Sequence, residues 1–454
     1  MRKGSEVILK IEAMEFPNIG IAYLDGKPIY MKNALPQQTV RARLSKTRSG
    51  YAEAKILGVE EPAPYEVESF CKHFGFCGGC SLQTLPYEEQ LKMKSDMVGQ
   101  LIAEATDNNC DFGGIIPGPK PFFYRNKMEF TFGDMIKGGS MELGMHKKGF
   151  FNSVVTVDQC QICDEDFTKI LSSTLAFFTE REIIHYNKFN HTGYLRHLMV
   201  RKGEKTGEIL VALSAKSGSE LPLEEFKDML MALSLKGQIV GVLHVQNEEK
   251  ADIFQGPYDI LFGNDYYYDE ILGFKFKISL YSFFQTNTVG AEVLYSQAVD
   301  YLGGIEGKYI FDLYSGTGTI AQILSQKAAK VVGIEIVEDA VAMAKENAIL
   351  NGITNCEFIA GDVFDKLDAL KGEKPDMIVL DPPRMGILPK ALTKIIAFGV
   401  KEIVYVSCNP KTLADNLVQF KAAGYEAVKA IAVDQFPMTP HVECVVGLRL
   451  KKSL

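Results

Sequence analysis

Over residues 1–60 apolar and polar positions alternate in short runs, Glu6 to Ile11, Gly20 to Tyr23, Thr39 to Leu44 and Tyr51 to Leu57. Turn residues separate them at Pro17-Asn18, Asp25-Gly26 and Ser49-Gly50. A period of two broken at this spacing predicts short strands closing into a small β-barrel, a shape that often binds nucleic acid. Pro62-Ala63-Pro64 marks a linker. From residue 86 to 106 the period changes, and apolar side chains recur at helical intervals behind Pro86. Strand-like runs return from Phe122 to about Phe276 (MEFTFG, ELGMH, NSVVTV, HLMVRKG, GEILVALSA, GVLHVQN), with a helical stretch around Asp164 to Arg181. From Leu280 onward strands alternate with helices, which predicts an α/β domain built on a doubly wound parallel sheet. The expected organisation is therefore a barrel over 1–60, a β-rich central region over 61–279 and an α/β domain over 280–454.

Composition changes this picture little: 46% apolar and 23% charged residues suit a water-soluble enzyme of several domains. No apolar run is long enough to span a bilayer, and MRKGSEVILK lacks the features of a secretory signal, so a cytoplasmic monomer with no membrane partner is expected. A net charge of −8 argues mildly against nucleic acid, but charge is unevenly spread. Arg41, Arg43, Lys46, Arg48 and Lys55 stand against Glu53 alone; Lys188, Arg196, Arg201, Lys202 and Lys205 stand against Glu204. Each stretch is a candidate phosphate contact, but taken alone either one reads first as solvated surface.

The strongest fold signal is YIFDLYSGTGTIAQILSQ, residues 309–326: an apolar strand, a Gly316-x-Gly318 turn and a helical pattern. The third glycine of a dinucleotide fingerprint is missing, which weakens a phosphate cradle. The next strand, KVVGIEI, delivers Glu335, an acid placed to accept both hydroxyls of a ribose. The third strand ends near Asp362, where an acid can meet an adenine amino group. The pattern fits a nucleoside cofactor without a pyrophosphate and resembles the class I S-adenosylmethionine-dependent methyltransferase fold, Rossmann-like in plan. The fourth strand ends in Asp381-Pro382-Pro383-Arg384, whose prolines stop the ladder and stiffen the loop at the sheet edge where ligands sit.

The fifth strand brings Ser407-Cys408-Asn409-Pro410 to the same edge. A cysteine is ordinarily a small buried hydrophobe, and that reading suits Cys110 and Cys356. Cys408 differs, because it ends an apolar strand before a polar residue and a proline. Methyl transfer to carbon 5 of uracil needs such a thiol: the ring carbon is a poor nucleophile until a thiolate adds at carbon 6, and a base must later remove the carbon 5 proton. Glu443, at the entrance of the last strand, is the candidate base, with His441 as its rival. Cys71-x5-Cys77-x2-Cys80 is a metal-type cluster for which Cys160 or Cys163 can supply a fourth thiolate. Its spacing is unusual for zinc knuckles and is not the Cys-x3-Cys-x2-Cys of radical enzymes.

FFQTN (283–287), DLYSGTG, GIE, DPPRMG, SCNP and HVE, in this order, resemble the bacterial RNA (uracil-5-)-methyltransferase family across essentially the whole chain. The resemblance implies Cys408 as nucleophile and Glu443 as base. It also implies a cofactor pocket for S-adenosyl-L-methionine lined by Gln285, Tyr314, Glu335 and Asp381; Ser315 stands where relatives often carry Cys. It implies further a [4Fe–4S] cluster on Cys71, Cys77, Cys80 and Cys160, and a TRAM-type RNA-binding barrel. The helix over 86–106 and the residues to about 116 are expected on the catalytic domain. Tyr124-Arg125-Asn126-Lys127 looks like a family motif expected to contact RNA. Barrel and cluster together point to 23S ribosomal RNA, with transfer RNA as the alternative. An RNA cytosine-5 methyltransferase would carry a second Cys in the loop that here reads Asp381 to Arg384. A non-catalytic RNA-binding protein would not need Cys408, Glu443 and Asp381 intact.

Overall fold

The computed structural model describes residues 2–218 and 220–451. The first six strands are β1 (Glu6–Lys10), β2 (Ala13–Glu15), β3 (Ile19–Leu24), β4 (Lys27–Lys32), β5 (Thr39–Thr47) and β6 (Ala52–Glu61). They form one sheet in the order β1-β5-β6-β4-β3-β2, whose inward alternate residues, among them Leu9, Ala22, Ile29, Val40 and Leu44, make a separate apolar core. The sequence pattern shows four of these strands. It misses β4, whose lysines at both ends and Pro28 mask the alternation of Ile29 and Met31, and the three-residue β2.

Helix α1 (Tyr87–Thr106) starts directly after Pro86 and stops at Asp107, which is left-handed at φ 52. Strand β7 (Asp111–Ile116) follows it. The central sheet contains β8 (Lys127–Asp134), β9 (Met141–Lys147) and β10 (Phe150–Thr156), then α2 (Glu165–Glu180), β11 (Leu195–Lys202), β12 (Glu208–Ala215), α3 (Leu223–Met231), β13 (Gln238–Gln246) and β14 (Tyr258–Gly263). Its order is β10-β9-β8-β11-β12-β13-β14, with α2 and α3 packed on one face through Phe167, Phe178 and Phe226. A hairpin, β15 (Tyr266–Ile271) and β16 (Phe274–Ser279), carries the apolar core from the other face into the last third of the chain.

There α4 (Thr288–Leu302), β17 (Tyr309–Leu313), α5 (Thr319–Ser325), β18 (Lys330–Glu335), α6 (Glu338–Leu350) and β19 (Cys356–Ala360) are followed by α7 (Val363–Ala369), β20 (Met377–Leu380), α8 (Pro389–Ala397) and β21 (Glu402–Ser407). The chain then runs through α9 (Pro410–Ala422), β22 (Tyr425–Val433) and β23 (Glu443–Leu450). The eight-stranded order is β19-β18-β17-β20-β21-β23-β22-β7. Strands β17 to β21 are parallel, β23 is antiparallel to both its neighbours, and β7 pairs parallel with β22 at the edge. Helices α4, α5 and α6 cover one face, and α1, α7, α8 and α9 the other, so both faces are buried as a parallel sheet requires.

The two basic stretches prove to be mostly structural. Arg41, Arg43 and Lys46 pair with Glu60, Glu6 and Glu53 on the barrel surface. Arg196 donates to the carbonyls of Asn247, Glu249 and Ala251. Lys202 pairs with Asp164 and Asp166, Lys188 with Asp252 and Lys205 with Glu292. Arg201 is fully buried, and its Nη1 donates to the carbonyls of Ser279, Leu280 and Ser282 at 2.8–2.9 Å, just ahead of FFQTN. Arg201 with these carbonyls is thus an internal polar anchor. Among the described residues no helix is long and apolar enough to cross a membrane. Removing Arg201 takes a charged donor from three carbonyls, of which, among the described residues, only that of Ser279 keeps a further donor in Ser282 N–H, so Arg201→Met should lower the unfolding free energy by about 3 kcal/mol in a urea titration. Arg41→Met, on the exposed barrel surface, should leave the urea midpoint unchanged.

Candidate active site

The order of the eight-stranded sheet reverses between β17 and β20, and the carboxyl ends of strands at such a switch point form a crevice. Tyr314, Glu335, Asp381 and Cys408 all lie at or directly after those ends. Tyr314 takes the left-handed φ of 67, which a side-chain-bearing residue holds only when its surroundings enforce it; the N–H groups of Tyr314 and Ser315 both donate to the Ile334 carbonyl. The Glu335 carboxylate accepts from Gly316 N–H at 3.1 Å and from Val337 N–H at 2.9 Å, tying the glycine turn to the second strand. A Cβ on Gly318 would meet the Phe358 ring at 2.6 Å, whereas one on Gly316 would meet nothing within 4 Å, so the turn is closed below and open above. Asp362 is exposed and caps α7 through Phe364 N–H.

Beneath this turn Asp312 is fully buried; one carboxylate oxygen accepts from Ala321 N–H and the other has no partner. Burial, with help from Asp381, pushes the Asp312 carboxyl up to about 8. Burial pushes Asp381 itself up to about 7. Gln285 is half-buried and its side chain hydrogen-bonds the buried Tyr295 of α4. Its backbone is fixed from the central domain, because Asn126 Nδ2 donates to the Gln285 carbonyl at 3.0 Å and to Thr288 Oγ1 at 2.8 Å. Asn126 is therefore a buried brace. Tyr124, 1% exposed, donates to the Pro437 carbonyl, so these two members of the expected RNA-contacting motif face inward instead.

The register of β21 and β23 ends on Ser407 opposite Cys444, so Cys408 and Glu443 leave neighbouring strand ends side by side. Burial first, then the Glu443 and Asp381 carboxyls, push the Cys408 thiol up to about 11, and Arg384 opposes them by charge and a hydrogen bond. Glu443, 3% exposed, is held well above the ordinary carboxyl range by burial and by Asp381. Burial pushes His441 down to about 4, leaving a neutral imidazole at pH 7. The loop bearing Arg384 is itself pinned: Asn409 Nδ2 donates to the Arg384 carbonyl at 2.8 Å, and Asn416 both accepts from and donates to the Ile387 backbone. Arg384 and Asn409 are site residues that motif spacing left unassigned; a cation one loop away from a thiol was the available signal.

A second group lies apart from this crevice. Cys71, Cys77, Cys80 and Cys160 line one cavity of about 50 Å³, together with Arg125, Met128, Met145, Val157 and Ile162. Cys163 is completely buried and does not line it; its thiol is hydrogen-bonded to Cys160, which lowers the Cys160 pKa. Gly79 N–H donates to Cys77 Sγ at 3.3 Å. Among the described residues no three His, Cys, Asp or Glu side chains stand close enough to share a single metal ion.

A reversed parallel sheet with a GxG turn, a ribose-type acid and a site at the strand ends defines the class I S-adenosylmethionine-dependent methyltransferase fold. The family model for tRNA (Uracil-5-)-methyltransferase matches residues 86–452, and the TRAM domain matches residues 2–57. The chain belongs to the tRNA (uracil-5-)-methyltransferase family and is an RNA methyltransferase. It is 48% identical to an uncharacterized RNA methyltransferase of Clostridium tetani over the whole of both chains. It is 47% identical, again over the whole of both chains, to another from Caldanaerobacter subterraneus. Among solved structures it is similar to the Pyrococcus abyssi tRNA (uracil-54, C5)-methyltransferase in complex with S-adenosyl-L-homocysteine, with a TM-score of 0.78 and 25% identity, covering 97% of this chain and 99% of that one.

The raised thiol gives a direct test. Alkylation of Cys408 by iodoacetamide, read by peptide mass spectrometry, should rise with pH toward a midpoint of about 11. Arg384→Leu removes the influence that lowers it and should slow alkylation at pH 8. An unchanged rate in that variant would show that Arg384 does not act on the thiol.

Proposed function

We propose that the protein forms 5-methyluridine in RNA through a covalent adduct of Cys408 with carbon 6 of the target uracil. The observation that carries this reading is the register that sets Cys408 beside Glu443 at the sheet's switch point. Glu335, Asp362, Asp381, Tyr314 and Gln285 would hold S-adenosyl-L-methionine; the open space above Gly316 and the unpartnered oxygen of Asp312 suit a nucleoside cofactor there. When bound, it supplies an electrophilic methyl group. Cys408 gives up its proton to solvent as the thiolate that Arg384 favours, and that thiolate adds to carbon 6, shifting the ring's electron pair into an enolate that makes carbon 5 nucleophilic. After methyl transfer, Glu443 takes the carbon 5 proton and the thiolate leaves. An imidazole pushed down to about 4 is a weak proton acceptor, whereas a Glu443 carboxyl in this buried setting is the stronger base once ionised, a form the Arg384 charge favours. Glu443→Gln should therefore accumulate a denaturation-resistant methylated adduct on ordinary uridine RNA, while His441→Asn should slow turnover without trapping it. Cys408→Ala should abolish turnover and keep cofactor binding. The opposite pattern for Glu443 and His441 would reverse their roles.

The four cavity-lining cysteines support a [4Fe–4S] cluster on Cys71, Cys77, Cys80 and Cys160. Each iron of such a cluster takes one thiolate, so its ligands ring a space instead of converging on a point. By the resemblance that pairs barrel and cluster, the proposed substrate is 23S ribosomal RNA, with transfer RNA as the alternative, and the protein a cytoplasmic monomer. Anaerobically purified protein should contain about four irons per chain, and a deletion strain should lose 5-methyluridine from 23S ribosomal RNA. Stoichiometric zinc, or loss confined to transfer RNA, would contradict the respective half.

A further inference from the structure

Residues 434–442 connect β22 to β23 and deliver His441 and Glu443. A connection of this kind is ordinarily among the more mobile parts of a fold. Here it is gripped along its length. At its base Asp434 and Lys94 are both buried, with Lys94 Nζ 2.6 Å from Asp434 Oδ1 and the Tyr87 hydroxyl donating to Asp434 Oδ2 at 2.9 Å. At its apex Met438 is left-handed, at φ 66, and all its polar atoms are engaged. Its N–H donates to Gln90 Oε1 at 3.1 Å, and its sulfur accepts from Gln90 Nε2 at 3.2 Å. Its carbonyl accepts from the N–H groups of Ser81 and Leu82, the two residues after Cys80, at 3.1 and 3.2 Å.

From the Lys94 end of this clamp a chain of hydrogen bonds runs as far as the His441 backbone, two residues before Glu443. The Phe436 carbonyl accepts from Lys94 Nζ at 3.2 Å and from the Thr439 hydroxyl at 2.8 Å. Thr439 Oγ1 in turn accepts from His441 N–H at 3.3 Å. Gln90 and Lys94 lie on α1, far along the chain from the strand they support.

We infer that Gln90 and Met438 are positioning residues for proton removal, through which α1 and the cysteine loop aim the Glu443 carboxyl. The inference rests on Glu443 being the base. In that step the carbon 5–hydrogen bond breaks and the proton passes to Glu443. The freed electron pair forms the carbon 5–carbon 6 double bond, and the bond from carbon 6 to Cys408 breaks with its pair on sulfur. Thiol addition and methyl transfer do not use Glu443. A misplaced Glu443 therefore stalls the enzyme as methylated adduct, whereas general loosening of the fold lowers the amount of working enzyme without raising the stalled fraction.

The test compares full-length Gln90→Leu, Glu443→Gln and wild type on unmodified RNA with radiolabelled methyl donor, reading turnover and the adduct on a denaturing gel. Gln90→Leu keeps the side chain's bulk and removes its hydrogen bonds. The expected result is a fall in kcat of about 10- to 100-fold, with a matching rise in adduct and KM for the methyl donor within about twofold of wild type. If thermal melting shows that Gln90→Leu folds poorly, Met438→Gly is read instead. Glycine accepts the left-handed φ and keeps the backbone groups, but loses the sulfur contact and the apolar seat beside Tyr124 and Ile162. A folded variant that turns over like wild type, or slows without adduct while Glu443→Gln stalls, overturns the inference. A Glu443→Gln enzyme that does not stall overturns the base assignment and this inference with it.

Discussion

The pairing of β21 with β23 is the constraint on which the site depends. Strands β17 to β21 run parallel and send every carboxyl end to one edge, so a second reactive group could reach that edge only from a loop or from a strand running the other way. β23 runs the other way, and its amino end therefore meets the carboxyl end of β21. A one-residue slip would turn Glu443 to the opposite face of the sheet. The core resists such a slip: Val445 packs with the helices on one face, and Cys444, Val446 and Leu448 with those on the other.

The same burial that fixes this geometry sets its electrostatics. Asp312, Asp381 and Glu443 are carboxyls held away from water; burial raises all three, and the Asp381 charge adds to the effect at Asp312 and Glu443. Cys408 shares that field, so a thiolate forms there only with a cation nearby, and Arg384 is that cation. Protonated Asp312 and Asp381 stabilise the folded chain below the unfolded carboxyl pKa. That contribution is lost as pH rises through the folded values of about 7 and 8. Around these two carboxyls the fold is thus held together less firmly at neutral pH than at mildly acidic pH.

Much of the site was legible because its residues sit where strands stop: Glu335, Asp381 and Cys408 each end an apolar run, and that position is visible in one dimension. Glu443, which opens a strand instead, was legible only beside the chemistry that needs a base. The basic stretches misled, since sequence shows that Arg201 is charged but not that three carbonyls receive it in the core. Tyr124 and Asn126 read as surface contacts because polar residues at a strand edge ordinarily are; here they brace two loops from inside. The choice between Cys160 and Cys163 could not be made from a spacing of three, and depends on which thiol faces the cavity. Strand β7 was hidden by Gly113 and Gly114, which dilute the alternation of an edge strand.

That edge strand has a consequence for how the chain is made. Asp111 pairs with Lys429, so β7 leaves the ribosome long before its partner exists. Meanwhile the barrel and the central sheet, each with an apolar core built from consecutive residues, are already available to fold. During that interval α1 and β7 form a half-built layer with an unpaired edge, the kind of surface that recruits the wrong strand. Brevity and two glycines make β7 a poor template for a stranger. The sheet closes only when synthesis passes β22 and β23, so a nascent chain that stops between Cys408 and Glu443 has the candidate nucleophile without its candidate base.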